Sequence, residues 1–237
     1  MAGPDALLDY VQERTDLDVI AVTDHDDIDG ALAAREAWAR RGRWRFEVVT
    51  GIEVTTIEGH LLALFVDRPI PSLKSLSRTI ESIHAAGGLA VIPHPLSWLT
   101  RSIGRHGIER VLAVENDSIW FDGIELANMS PAGRVTQARA RRLNERWRMA
   151  ATGGSDAHFL QAVGSAVTRF DGHTAADLRA ALERRETSAE NLRHPAWREL
   201  GIGNIVRQQY RGLLATPRKV VWKPIRRAVT RQPRSTT

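Results

Sequence analysis

Five short stretches of this chain carry, at the end of an apolar run or just beyond one, side chains that can hold a metal ion or move a proton. They are Val22-Thr23-Asp24-His25, Gly51-Ile52-Glu53, Gly59-His60-Leu61-Leu62, Ile92-Pro93-His94-Pro95 and Gly153-Gly154-Ser155-Asp156-Ala157-His158. Glu125, in Gly123-Ile124-Glu125-Leu126-Ala127-Asn128, ends a further run in the same way. The chain has no cysteine, which excludes disulfide frameworks, thiolate zinc fingers, iron–sulfur clusters and cysteine nucleophiles. Imidazole and carboxylate are then the ligands that zinc, manganese and iron take. Singly, these residues have plainer readings: a lone histidine is more often a hydrogen-bonded rim residue, Asp156 fits a helix N-cap, and Glu53 fits a solvated strand end. Jointly they do not, because a fold has no structural need to finish strand after strand on histidine or carboxylate. The other four histidines, His84, His106, His173 and His194, stand in helical, turn or tail contexts and are expected to face solvent.

The elements that must bring these residues together follow from periodicity. Pro4 suits the first turn of a helix over about 5–14, with Leu7, Leu8, Tyr10 and Val11 as its apolar stripe. Strand-like runs are expected at Asp18–Thr23, Phe46–Thr50, His60–Val66, Leu89–Ile92, Gly123–Leu126 and Met149–Thr152. Helical patterns lie at about Ala31–Arg41, Ser72–Ala86, Arg134–Arg146 and Thr174–Arg185. Strands alternating with helices of this length imply parallel βαβ units, and in an α/β barrel the C-terminal strand ends converge on one rim.

Composition bounds the rest. The 237 residues are 43% hydrophobic and 26% charged, enough for a real core, and the longest apolar run, Leu61–Val66, is far short of a bilayer span. The first residues lack the basic-then-apolar pattern of a secretory signal, so a cytoplasmic location is expected. The net charge of +5 hides an asymmetry: residues 191–237 carry +10 and the remaining 190 carry −5. The expected organisation is therefore a body over 1–190 and a basic extension over 191–237, with Pro195, Pro217, Pro224 and Pro233 and one amphipathic stretch at Ile202–Leu214. Such a tail, with Trp197, Tyr210 and Trp222, suits contact with nucleic acid or an anionic membrane surface. No Gly-x-Ser-x-Gly elbow and no P-loop occurs.

The segments AVTDHDDIDGA, GIEVT with GHLLALFVD, GGLAVIPHP, GIELAN and GGSDAH, in this order, resemble the polymerase-and-histidinol-phosphatase (PHP) family over about residues 1–190. The resemblance implies a distorted (β/α)7 barrel and a stand-alone phosphoesterase that hydrolyses phosphate esters, nucleotides or short oligonucleotides, with two or three divalent ions (Mn, Zn or Fe). It implies metal ligands at His25, Glu53, His60, His94, Asp156 and His158. Asp156 and His158 would also manage protons, and Asp24 and Glu125 would orient the ligands. One ion would be held by Glu53 and Asp156 with the family's opening histidine pair, a second by Glu53, His60 and His94, and a third by His25 and His158 with a further residue. The family's opening strand, with its His-x-His pair, has no counterpart before His25; the barrel is expected to lack its first strand, and the native start to lie some twenty residues upstream. Arg101 and Arg105 are candidate phosphate contacts. An amidohydrolase-type metal hydrolase and a binding module acting through the tail are the competing readings.

Overall fold

The structure, a computed structural model, describes residues 3–114, 116 and 118–192. All of these fall in one unit, so the expectations for residues 193–237, His194 among them, lie outside the described residues. Helix α1 (Pro4–Arg14) starts on Pro4, whose missing N–H costs nothing at a helix start. It buries Leu8 and Val11 against Ile20, Ala37 and Phe46. Strand β1 (Val19–Val22) follows, then α2 (Asp29–Arg41), stopped by Gly42 in the left-handed conformation.

Strands β2 (Glu47–Thr55), β3 (His60–Leu64), β4 (Leu89–Ile92), β5 (Gly123–Ala127) and β6 (Ala150–Gly153) complete a six-stranded sheet in sequential order from β1 to β6. Helices α3 (Leu76–Ala85), α4 (Arg105–Leu112), α5 (Pro131–Arg134) and α6 (Gln137–Trp147) lie between strands. Ile52, Val54, Leu61, Ile80, Ile83, Ile92, Ile108 and Ile124 form the main core between sheet and helices, each burial worth about 1.5–3 kcal/mol. Beyond β6, strand β7 (Ala166–Arg169), helix α7 (Ala175–Arg184) and strand β8 (Ser188–Asn191) form a two-stranded antiparallel appendix. It is tied to β6 by Thr168 Oγ1, which accepts the Gly153 N–H at 2.9 Å. The sheet curls as a half-barrel with helices against it, a mixed α/β arrangement. No helix among the described residues is long and apolar enough to cross a membrane.

The structure departs from the expected parallel order at one strand. β3 runs antiparallel to both β2 and β4, because only residues 56–59 separate β2 from β3 and no crossover helix fits in four residues. The expected helix over Arg134–Arg146 is two helices, broken where the Thr136 hydroxyl donates to Pro95 O at 2.7 Å. The expected start at Ser72 shifts to Leu76, since Leu73 has φ +57° and the Ser72 hydroxyl is bonded to Asp26. Helix α4 and the β7–β8 pair are elements the periodicity did not single out.

Candidate metal centre

Glu53 lies inside β2, not beyond it, and is buried, so it is no solvated strand end. Backbone bonds from the turn after β1 bracket it: Glu53 N–H donates to Asp24 O at 3.1 Å, and Asp26 N–H donates to Glu53 O at 2.9 Å. His25 pairs with Glu53 as a parallel bridge, which sets its Nε2 3.4 Å from Glu53 Oε2. His60 begins β3 instead of ending a strand. Because β3 runs backwards, its first residue reaches the same rim as the last residues of the parallel strands. Thr55 pairs with His60, and His60 Nδ1 comes to 2.9 Å from Glu53 Oε1.

His94 follows β4 with φ +30°, a conformation costly for a residue with a side chain, so its surroundings must hold it. Its N–H donates to Glu125 Oε2 at 2.6 Å, its Nδ1 meets Ser102 Oγ at 2.8 Å, and its Nε2 meets Glu53 Oε1 at 3.0 Å. Glu125 also accepts the Asn128 side-chain amide at 2.7 Å, and any side chain at Gly154 would strike Glu125 Oε1. Gly59 is required too: a Cβ there would come within 2.6 Å of the backbone at Ser102 and Ile103, so two rim loops touch. Asp156 has φ +48° and starts no helix; the short helical turn after it is Leu160–Ala162, so the N-cap reading fails. Asp156 O lies 3.0 Å from His158 Nδ1.

The four imidazoles form an arc: ring centres lie 6.4 Å apart for His158 and His25, 4.9 Å for His25 and His60, and 5.7 Å for His60 and His94. Side-chain exposure falls along it from 35% at His158 and His25 to 9% at His60 and 4% at His94. The ligand atoms of His25, Glu53 and His60 all lie within 4.8 Å of one another. Burial would push Glu53 up, but the His60 and His94 imidazoles outweigh it and hold the carboxyl well below the usual carboxylate range. Burial would depress His94, yet its hydrogen bond to Glu53 lifts it to about 9. Burial lowers His25 and raises Asp156, and it pushes Glu125 up to about 7.

One atom tests whether this donor set fits a cation. His60 Nδ1 is buried and, despite its closeness to Glu53, makes no hydrogen bond of acceptable geometry. A buried ring nitrogen without a hydrogen bond, 2.9 Å from a carboxylate oxygen, is a pair of ligand atoms that a shared cation suits.

The candidate site residues His25, Glu53, His60, His94, Asp156 and His158 therefore meet at one rim. The orienting carboxylates differ: Glu125 bonds to His94, while the Asp24 carboxylate lies against Gly30 in the first turn of α2. Arg105 pairs with Glu109 on the outside of α4, and Arg101 donates to Thr56 O, which ties one rim loop to the next. Sequence reading missed Asp26 and Ser102. The Asp26 carboxylate accepts Thr55 N–H at 2.8 Å and the Thr55 hydroxyl at 2.7 Å, fastening the His25 turn to β2. Its place next to His25 was the available signal; Ser102 had none. Among the described histidines outside the site, His84 overturns its expectation. Its side chain is 13% exposed and stacks on Trp120 at 4.0 Å, while Nε2 meets Asp122 Oδ2 at 2.9 Å. His106 and His173 are exposed as expected.

Comparison with known proteins bears on the whole arrangement. Residues 137–187 match the family described as PHP-associated. An uncharacterized protein of Methanocaldococcus jannaschii is 34% identical over 118 residues, 50% of this chain and 62% of the relative. A two-domain protein of Bacteroides vulgatus containing a predicted PHP-like metal-dependent phosphoesterase superposes with a TM-score of 0.62 at 19% identity, over 81% of this chain and 60% of that one. An amidohydrolase of Chromobacterium violaceum superposes with a TM-score of 0.50 at 19% identity, over 84% and 90%. The chain spans less than two thirds of the first two proteins' length. The chain thus matches the PHP-associated family over residues 137–187 and shares the half-barrel fold of a predicted PHP-like metal-dependent phosphoesterase.

Proposed function

We propose that this chain is a metal-dependent phosphoesterase, with nucleotides or short oligonucleotides as its substrates. The observation that carries the reading is a buried glutamate facing three imidazoles, one of which has an orphaned nitrogen. Glu53, His60 and His94 would hold one divalent ion, and His25, Asp156 and His158 would line the place of a second; zinc, manganese and iron all suit such donors. When bound, the ions supply Lewis acidity toward the phosphate and lower the pKa of water.

The chain's own residues do the positioning. Glu53 is held ionised by its imidazole neighbours, so it presents a full charge without reorganisation. Ser102 and Glu125 fix the His94 ring from two sides, as outer groups do for ligating histidines. The exposed end of the arc, His25 and His158, is where an ester enters, and His158, beside Asp156, is placed to hand a proton to a leaving oxygen.

With Mn²⁺ or Zn²⁺, the chain is expected to hydrolyse p-nitrophenyl phosphate, and His94→Ala to abolish turnover with loss of bound metal in elemental analysis. Turnover that persists in His94→Ala would overturn the assignment. The likeness to an amidohydrolase gives a second reading, and an amide panel on the same preparation separates the two: cleavage of amides but not phosphate esters would decide for it.

A further inference from the structure

The segment from Arg134 to Arg148 holds six arginines, Arg134, Arg139, Arg141, Arg142, Arg146 and Arg148, against one acid, Glu145. All six are exposed. Arg141 has a structural task, since it donates to Leu126 O at 2.8 Å and to Ala189 O at 3.3 Å. The other five have none visible: among the described residues no salt bridge involves them. Arg139, Arg142 and Arg146 stand at spacings of three and four, hence on one face of α6. Like charges so placed disfavour a helix by a few tenths of a kcal/mol per pair, so the fold gains nothing from the row. It spans about 10 Å along the axis, roughly three phosphates at about 3.4 Å of rise per nucleotide of one strand.

The row begins at the metal rim. Gln137, the first residue of α6, accepts the Asn128 N–H at 3.4 Å, and Asn128 bonds to Glu125, which holds His94. Thr136, just before α6, donates to the carbonyl of Pro95, the residue after His94. A guanidinium row that starts there suits a chain of phosphates better than a single one. It does not suit a bilayer: no large apolar side chain of α6 is exposed, and Trp147 packs against the core, whereas a membrane-surface helix presents apolar residues beside its basic ones.

We propose that the Arg139–Arg142–Arg146 face of α6 docks single-stranded nucleic acid through its phosphates and leads the strand to the metal rim. The proposal deepens the phosphoesterase reading by naming a polymeric substrate, yet its test reads binding without turnover, so the two can fail separately.

The experiment uses the full chain in EDTA with fluorescein-labelled dT12, followed by anisotropy between 50 and 200 mM NaCl. R139E/R142E/R146E is expected to bind at least about tenfold more weakly at 50 mM, with the slope of log K against log salt shallower by about 2, from three contacts at about 0.7 each. R139Q/R142Q/R146Q guards against an effect of the added acids and should fall between parent and reversal. Both should hydrolyse p-nitrophenyl phosphate within about twofold of the parent. Failure of the parent to bind dT12, or unchanged affinity and slope in both triples because other basic residues do the binding, overturns the proposal. So does unchanged dT12 binding with lost binding to phosphatidylserine vesicles, which would make α6 a membrane surface. A parent that binds dT12 but hydrolyses no ester removes the phosphoesterase reading and leaves the docking face standing.

Discussion

Strand β4 carries a histidine–carboxylate cluster at each end, built from the same residue types to different effect. At its N-terminal end Asp122 is saturated: Oδ2 takes the Ala90 N–H at 2.6 Å and His84 at 2.9 Å, and Oδ1 takes the Trp120 indole N–H at 2.9 Å. The second His84 nitrogen faces Ser118 O at 3.1 Å, and its ring is covered by Trp120. At its C-terminal end three imidazoles crowd one carboxylate, a buried nitrogen goes without a hydrogen bond, and His94 has a strained backbone. A polar cluster that completes its own bonds pins a fold; one that leaves a donor atom over, under strain, is set up to take something else.

The contrast can be broken in four ways. Glu53→Gln should lower metal affinity by more than about 100-fold, beyond what loss of an outer hydrogen bond does, while its unfolding midpoint in chelator moves less than that of Asp122→Ala. The reverse order would make Glu53 a fold residue. Asp122→Ala strands three donors at once and should cost about 2–3 kcal/mol in urea unfolding with metal stoichiometry unchanged. Ser102→Ala removes one partner of His94 and should weaken metal binding about tenfold, or about 1.4 kcal/mol, with little change in stability in chelator. The smallest effect is a pH dependence. Burial would lower His84, but Asp122 and Ser118 O raise it above its ordinary 6.5. A raised folded-state value means the stabilisation is complete below about 6.5 and is lost as pH climbs through the higher folded value. The urea-midpoint gap between the parent and His84→Gln should therefore shrink from pH 5.5 to pH 8.5. A gap that widens would assign the pH dependence to another group.

What could be read from the chain was local and repeated. His25, Glu53, His60, His94, Asp156 and His158 stood out because each adjoins a short apolar run, and the structure brings all six to one rim. Of the partners that hold them, Glu125 was legible and bonds to His94, whereas Ser102 was not. Ser102 is an ordinary loop serine until the 96–103 loop folds back on His94. The His84 cluster joins residues 38 apart, and one-dimensional periodicity carries no trace of that pairing. Strand direction was lost for a related reason: the apolar pattern of His60–Leu64 is the same whichever way the strand runs. Only the shortness of the preceding turn fixes the antiparallel choice.

That reversed strand has a kinetic consequence. Glu53 and His60 are seven residues apart and pair across one hairpin, a unit that closes in about 1–10 μs. His94 and His158 must arrive from much farther along the chain, and contacts over such separations form late. The first part of the proposed metal centre is thus assembled early and locally, and ions that bind there would have a foothold before the half-barrel is complete.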